Sequence, residues 1–201
     1  MSIYDLIDQV NAVKVTKKPT HFNKAIITTL KHEGGFVNDP VDPGGATNWG
    51  MSLRYLKGRG DLDGDRRLDG DMDGDGDVDV SDIKKMTVDQ AVQLYYTGFW
   101  LPYGYDQIKD YTIAAKLFDM TVNMGANQAG RIVQKALNRL GFGLKVDGAV
   151  GANTFKAIHA ADPDLLIAEM RQEQARFYLN LIARRPEFAK YKNGWLRRAY
   201  A

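Results

Sequence analysis

Apolar side chains recur at Phe22, Ile26 and Leu30, and Glu33 falls on the same side, near i, i+4, i+8 and i+11. That spacing predicts a helix from Thr20 to Glu33, with Thr20 as its cap. Gly34-Gly35 ends it, because glycine takes the left-handed geometry that closes a helix. Phe36–Asn38, the turn-rich run Asp39–Gly45 and the stretch Ala46–Met51 predict a short β-hairpin or an irregular loop. Thr87-Val-Asp-Gln90 has capping-box form and opens a helix through Ala91, Leu94 and Tyr95. Further helices are predicted at about 110–124, 127–140, 152–160 and 163–183. Asp162 caps the last of them, and Pro163 sits in its first turn, where a missing N–H costs little. Gly141 closes the helix that carries Ile132, Val133, Ala136, Leu137 and Leu140. The pattern is that of a mainly α protein (α+β in class), a helical bundle with a small β-hairpin. It contains no heptad seam and no solenoid period.

Composition narrows the chemistry. With 201 residues, 44% hydrophobic and 26% charged, the chain is long enough to bury a core. No apolar run approaches the roughly 20 residues needed to cross a bilayer. Met1–Thr20 has neither a basic start nor an apolar stretch of secretory type, so the protein is expected to accumulate in the cytoplasm of its producer. Cysteine is absent, which removes thiol nucleophiles, disulfides and cysteine-held zinc. His21, His32 and His159 form no His-Glu-x-x-His pattern, so zinc hydrolysis is poorly supported. Carboxylate chemistry needs neither residue type.

The net charge of +2 conceals a split. Residues 61–82 hold ten Asp against Arg66 and Arg67, which leaves a strongly basic remainder, and residues 171–201 carry eight Arg or Lys against Glu173 and Glu187. Such a body suits an anionic partner, either cell-envelope polymers or nucleic acid. No nucleic-acid motif accompanies the charge, so no nucleic-acid partner is expected. Arg197 and Arg198 are candidates for attracting envelope polymers.

Glu33 lies at the end of a helix on its apolar side, where partial burial raises a carboxyl pKa and keeps it a proton donor near neutrality. Asp42 follows nine residues later in a Pro/Gly-rich turn that can bring it across a cleft, and Thr47 offers a hydroxyl to hold a water beside it. Asp39, in an Asp-Pro turn, is the rival second carboxylate. A pair of this kind serves glycoside hydrolysis, with roughly 6.5–9.5 Å between carboxyls for inversion and about 5 Å for retention.

The string His32-Glu33-Gly34-Gly35-Phe36-Val37-Asn38-Asp39-Pro40, continued by Asp42-Pro43-Gly44-Gly45-Ala46-Thr47-Asn48-Trp49-Gly50, closely resembles the signature of the family 108 glycoside hydrolases. These are N-acetylmuramidases found largely in phages and prophages. Thr87–Trp100 is similar to the family's helix ending in a Tyr/Trp stretch, and the likeness covers the chain except residues 1–15 and 58–82. The resemblance implies a lysozyme-like fold and cleavage of the β-1,4 bond between N-acetylmuramic acid and N-acetylglucosamine. It implies Glu33 as general acid, with Asp42 and Thr47 orienting water and stabilising the charge that develops on the sugar. Phage-type lysozymes place the Asp nine residues after the Glu, as here. Their Thr lies some five or six residues after the Asp, and Thr47 lies five after Asp42. By analogy with phage lysis, a holin or other release partner gives access to the wall. Two other readings stay open: a lytic transglycosylase, which Asp42 and Thr47 count against, and a non-catalytic calcium-dependent wall-binding module.

Residues 71–82 place Asp71, Asp73, Asp75, Asp77, Asp79 and Asp82 at positions one, three, five, seven, nine and twelve, with Gly76 at six and Val78 at eight. This is EF-hand ligand spacing for one calcium ion, with Asp77 offering its backbone carbonyl. Asp82 in place of Glu resembles the loops of dockerin modules. The preceding run Asp61–Asp69 imitates the loop, but Arg66 occupies its glycine position. Calcium is expected to order this segment and stabilise one wall of the cleft.

The chain is thus expected to be one lysozyme-like catalytic domain over 1–201, acting as a monomer. Residues 58–82 form a calcium-binding insert, and 110–201 a helical part that resembles the family's peptidoglycan domain. Gln134–Asn138 and Val146–Thr154 carry that second likeness, which includes the Asp-Gly-x-x-Gly-x-x-Thr turn of wall-binding repeats. Trp49, Trp100 and Tyr103 are candidates to stack on sugar faces, and Asn123 to line the cleft, although aromatics more often fill cores.

Overall fold

The computed structural model describes residues 3–12, 21–33, 36–37, 45–61 and 67–201, and for residues 3, 4 and 31–33 the backbone alone. Two compact units divide the chain, Met1–Gly98 and Phe99–Ala201. The architecture is mainly helical with one small two-stranded sheet, as the hydrophobic pattern predicts for a lysozyme-like chain. Among the described residues no helix is long and apolar enough to cross a membrane.

In the first unit, α1 (Ile3–Ala12) and α2 (His21–Glu33) pack together, and α1 also meets α5 (Val88–Tyr95). The stripe predicted on α2 is buried at Phe22, Ile26 and Leu30, while Leu6 and Val10 close over it from α1. Thr20, Gly34 and Gly35 lie outside the described residues. Strands β1 (Thr47–Asn48) and β2 (Met51–Ser52) form an antiparallel hairpin in the register Thr47↔Ser52 and Asn48↔Met51. Val37 extends the sheet on the far side of β1, its N–H and C=O both bonded to Thr47 at 2.8 and 2.7 Å. Ser52 caps the short helix α3 (Leu53–Lys57), and Asp79 caps α4 (Val80–Lys85). Thr87 and Gln90 form the predicted capping box of α5, which continues into a π-helical turn, Tyr96–Trp100.

The second unit is a bundle of α6 (Tyr111–Met124), α7 (Ala126–Arg139), α8 (Ala152–Ala160), α9 (Pro163–Arg184) and α10 (Lys192–Tyr200). The predicted helices fall within a residue of these bounds. On α7, Ala129, Ile132, Val133, Ala136 and Leu137 are all buried, the i, i+3, i+4, i+7, i+8 stripe that one apolar face requires. Asp162 accepts the Leu165 N–H at the start of α9, with Pro163 in the first turn. Helix α9 packs on α6, α7 and α10. Aromatic side chains seal its far end, where Trp195 stacks on Tyr178 and Tyr191 with ring centroids 5.0 and 5.5 Å apart.

Candidate functional site

Glu33 is the last residue of α2, so the helix sets where its backbone leaves the core. Its side chain lies outside the described residues, as do Asp39 and Asp42. Thr47 is half-buried at the middle of the three-segment patch formed by Val37, β1 and β2, bonded through its backbone to Val37 and paired with Ser52.

Trp49 and Gly50 make the hairpin turn with φ of 51° and 76°. A two-residue loop of this kind needs positive φ at both positions, because only that twist matches the flanking strands. For a bulky residue such as Trp49 this is costly backbone. The Tyr95 hydroxyl holds it by donating to the Trp49 carbonyl at 3.0 Å. Sequence reading missed the role of the residue between Thr47 and Trp49. Asn48 is buried, and its amide donates to the carbonyls of Ile83 (2.9 Å) and Met86 (3.4 Å) at the end of α4. The hairpin is therefore tied to the helix that leaves the acidic loop.

In that loop Asp71 Oδ1 accepts the Gly74 N–H at 2.6 Å and Oδ2 the Gly76 N–H at 2.9 Å. Gly76 turns at φ 98°, which the glycine at position six was predicted to allow. Asp82 is buried; its Oδ1 accepts the Met72 N–H (2.6 Å) and Asp73 N–H (3.3 Å), and its Oδ2 the Asp79 N–H (2.7 Å). Carboxylate oxygens of Asp71, Asp73 and Asp82 lie within 4.8 Å of one another, and so do those of Asp77, Asp79 and Asp82. Asp75 belongs to neither group, and its Oδ1 accepts the Asp77 N–H.

Two features fit this loop to a cation. Asp73 Oδ1 is buried without a hydrogen-bond partner, while its Oδ2 is taken by Lys85 Nζ and Ser81 Oγ, each at 2.7 Å. The Lys85 and Ser81 bonds hold the Asp73 carboxyl below its usual range. Conversely, the Asp75 charge first of all, then desolvation and the charges of Asp79 and Asp82, pushes the Asp77 carboxyl up. The loop thus concentrates negative charge, which Lys85 offsets at Asp73. Of its imitation upstream, residues 62–66 lie outside the described set, and Asp69 is committed to an ion pair with Arg59 at 3.1 Å.

In the second unit Trp100 is fully buried, edge-on to Tyr105 and Phe118 at 5.9 and 5.6 Å. It has no ring face to offer a sugar and is a core residue, because the apolar surroundings it fills outbid an exposed role. Tyr103 is 37% exposed and lines a 350 Å3 pocket with Leu101, Gly104, Gln107, Ala149 and Phe155. Asn123 is exposed near the end of α6, its amide bonded back to the Asp119 carbonyl at 3.2 Å. The Asp-Gly turn is strapped to α7: Gln134 bonds Asp147 Oδ1, the Ala149 carbonyl and the Gly148 N–H, and Arg131 the Val146 carbonyl. Arg198 is not a free surface charge, since it pairs with Asp119 at 3.0 Å. Arg197 is exposed.

Comparison with known proteins gives these features their frame. Residues 26–125 match the family described as glycosyl hydrolase 108, and residues 128–200 that described as predicted peptidoglycan domain. Among solved structures the chain is similar to SagA from Brucella abortus, with a TM-score of 0.67 and 25% identity, covering 89% of this chain and 88% of that one. No curated protein matches it. Residues 26–125 therefore belong to the glycosyl hydrolase 108 family and are followed by a peptidoglycan domain, so that the chain is a glycoside hydrolase acting on peptidoglycan.

Proposed function

We propose that the protein is an N-acetylmuramidase that cleaves the β-1,4 bond between N-acetylmuramic acid and N-acetylglucosamine. Glu33 protonates the glycosidic oxygen, and Asp42 and Thr47 position water and stabilise the developing positive charge. The observation that carries the reading is the hairpin: Thr47 follows the family signature and sits in a three-segment patch beginning four residues after α2 ends at Glu33. Trp49 at the strained turn and Tyr103 and Asn123 in the second unit are the proposed sugar contacts. As a phage-type lysin the protein would act on the wall after a holin or similar partner releases it.

Calcium is the second part of the proposal. Asp71, Asp73, Asp79 and Asp82 would hold one ion with the Asp77 main chain and Asp75, and the ion would neutralise the carboxylates now facing one another. Asp82 ends the loop and Ile83 accepts from Asn48, so ordering the loop also steadies β1 and Thr47. The test is mass spectrometry of peptidoglycan digested by wild type and by Glu33→Gln, with calcium and with chelator. Reducing-end N-acetylmuramic acid from wild type alone is expected. Anhydro-muramic products would assign a transglycosylase instead, and no products under any condition would leave a binding module.

A further inference from the structure

A groove of about 530 Å3 runs between the acidic loop and α5, outside the hairpin. Asp89, Gln93 and Thr97 line one wall at i, i+4 and i+8 along α5 and the turn that follows it, so they share a face. The Arg59–Asp69 ion pair and Met72 line the other, and Leu94 the floor.

The second wall is held at several points. Arg59 is bonded to the Tyr55 hydroxyl at 3.0 Å and to Asp69 at 3.1 Å, with both side chains of the pair largely buried. Gly98 lets that hydroxyl approach, since a Cβ there would clash with it. The Met72 N–H is held by Asp82 and its carbonyl by the Gln90 amide at 3.1 Å. Against this wall the Asp89 carboxylate and the Gln93 amide make no bond among the described residues, and both are exposed. A preformed groove with an apolar floor and a few uncommitted polar groups is the usual form of a ligand site.

Its charge selects the ligand. Asp69 neutralises Arg59, so Asp89 leaves the groove with an excess of negative charge. Stem-peptide carboxylates and anionic wall polymers are repelled. A neutral strand of N-acetylated amino sugars fits: Asp89 accepts from hydroxyls, Gln93 exchanges bonds with an acetamido group, and Met72 and Leu94 meet its methyl and the C–H face of the ring. We propose that this groove is an accessory subsite for N-acetylhexosamine residues of the glycan strand, walled by the acidic loop. The proposal rests on the glycan-cleaving reading above.

The test is titration of N-acetylglucosamine hexamer into full-length Glu33→Gln protein in calcium, followed by calorimetry and by NMR of methyl-labelled methionine. The Met72 methyl is expected to shift, and Gln93→Ala or Asp89→Ala in the Glu33→Gln background to weaken binding about tenfold and abolish that shift. Both substitutions are on exposed positions, and an unchanged melting temperature verifies folding. Affinity and a Met72 shift equal to the parent's in both variants would overturn the proposal, as would a Met72 shift produced by free stem peptide and not by the sugar. If wild type cleaves peptidoglycan while these variants bind as their parent does, the groove assignment alone fails. If Gln93-dependent binding stands without any cleavage, the muramidase reading fails and the subsite survives.

Discussion

Replacing Asp82 by Asn separates what this carboxylate does for the loop from what it does for a cation. The substitution keeps the side chain's volume and one acceptor oxygen, and turns the other into an amide that cannot accept an N–H. The Asp79 N–H, or those of Met72 and Asp73, is then left without its acceptor. Losing a buried charge-assisted acceptor costs about 1–3 kcal/mol. Against this, Asp82 faces Asp71, Asp73, Asp77 and Asp79 within 4.8 Å. Each like-charge pair at that distance costs about 0.9 kcal/mol even at the dielectric of water, or roughly 3.5 kcal/mol for four before salt and Lys85 screen them. The two effects are of the same size and opposite sign. In chelator, Asp82→Asn is therefore expected to melt within a few degrees of wild type.

With calcium the balance changes. An ion at about a hundred times its Kd adds about 2.7 kcal/mol, which in a chain of this length raises Tm by about 5–11 °C. Wild type is expected to show that rise, and Asp82→Asn to lose it, because its closing ligand is gone. Scanning fluorimetry or circular dichroism in calcium and in chelator, with magnesium as the control cation, reads all four states. An equal calcium-dependent rise in Asp82→Asn, or none in wild type at millimolar calcium, would refute the assignment of this loop as the ion's site.

Asn48→Ala removes two bonds to the end of α4 and strands the Ile83 carbonyl, so a loss of about 1–3 kcal/mol in denaturant melts is expected, with a smaller calcium effect on lysis. Gly130→Ala would drive a Cβ into the Gly148 carbonyl and force the strapped turn off α7; a loss of about 1–3 kcal/mol is expected in the same melts. Arg198→Met breaks the half-buried pair with Asp119 and is expected to cost up to about 1 kcal/mol, whereas Arg197→Gln leaves Tm unchanged and tests attraction to envelope polymers by the salt dependence of lysis. Lys116 is buried, its amine donating to the Arg198 and Ala199 carbonyls at 2.9 and 2.7 Å, and burial lowers its pKa to about 8. The folded chain then holds fewer protons than the unfolded one from pH 8 upward, so stability rises by about 2 kcal/mol between pH 8 and 10. Burial raises the tyrosine pKa values of Tyr105, Tyr178 and Tyr111, which makes stability fall again above pH 10. Lys116→Met is expected to flatten the rise in urea melts taken across that range.

Legibility followed the kind of signal each residue carries. On α7 and α9 the apolar stripe, the Asp162 cap and Pro163 all agree, and the helices lie where the pattern puts them. In the acidic loop one feature of the count is met, the turn with positive φ at Gly76, while Asp71 and Asp82, read from sequence as cation ligands, accept backbone N–H bonds. Short helices were not. α3 and α4 are too brief to show a period, and their starts are set by Ser52, to which the sequence reading gave no role, and by Asp79, which it read as a cation ligand and not as a helix cap. Trp100 illustrates a different loss: an aromatic at a helix end reads the same whether it will face a ligand or a core, and only the positions of Tyr105 and Phe118 decide.

Asn48 shows why a signature can be recognised without being understood. Within Thr47-Asn48-Trp49-Gly50 the sequence marks a hairpin and its turn, and catalysis would draw attention to Thr47 alone. In the strand, however, successive side chains point to opposite faces, so placing Thr47 half-exposed sends Asn48 into the core. A buried amide must find partners, and the carbonyls at the end of α4 are what it finds, thirty-five residues away across the insert. The polar residue therefore does what an apolar one could not: it fixes the hairpin to the one helix whose start is capped by the acidic loop. Loop and hairpin are joined through one side chain, so whatever orders the first is felt by the second.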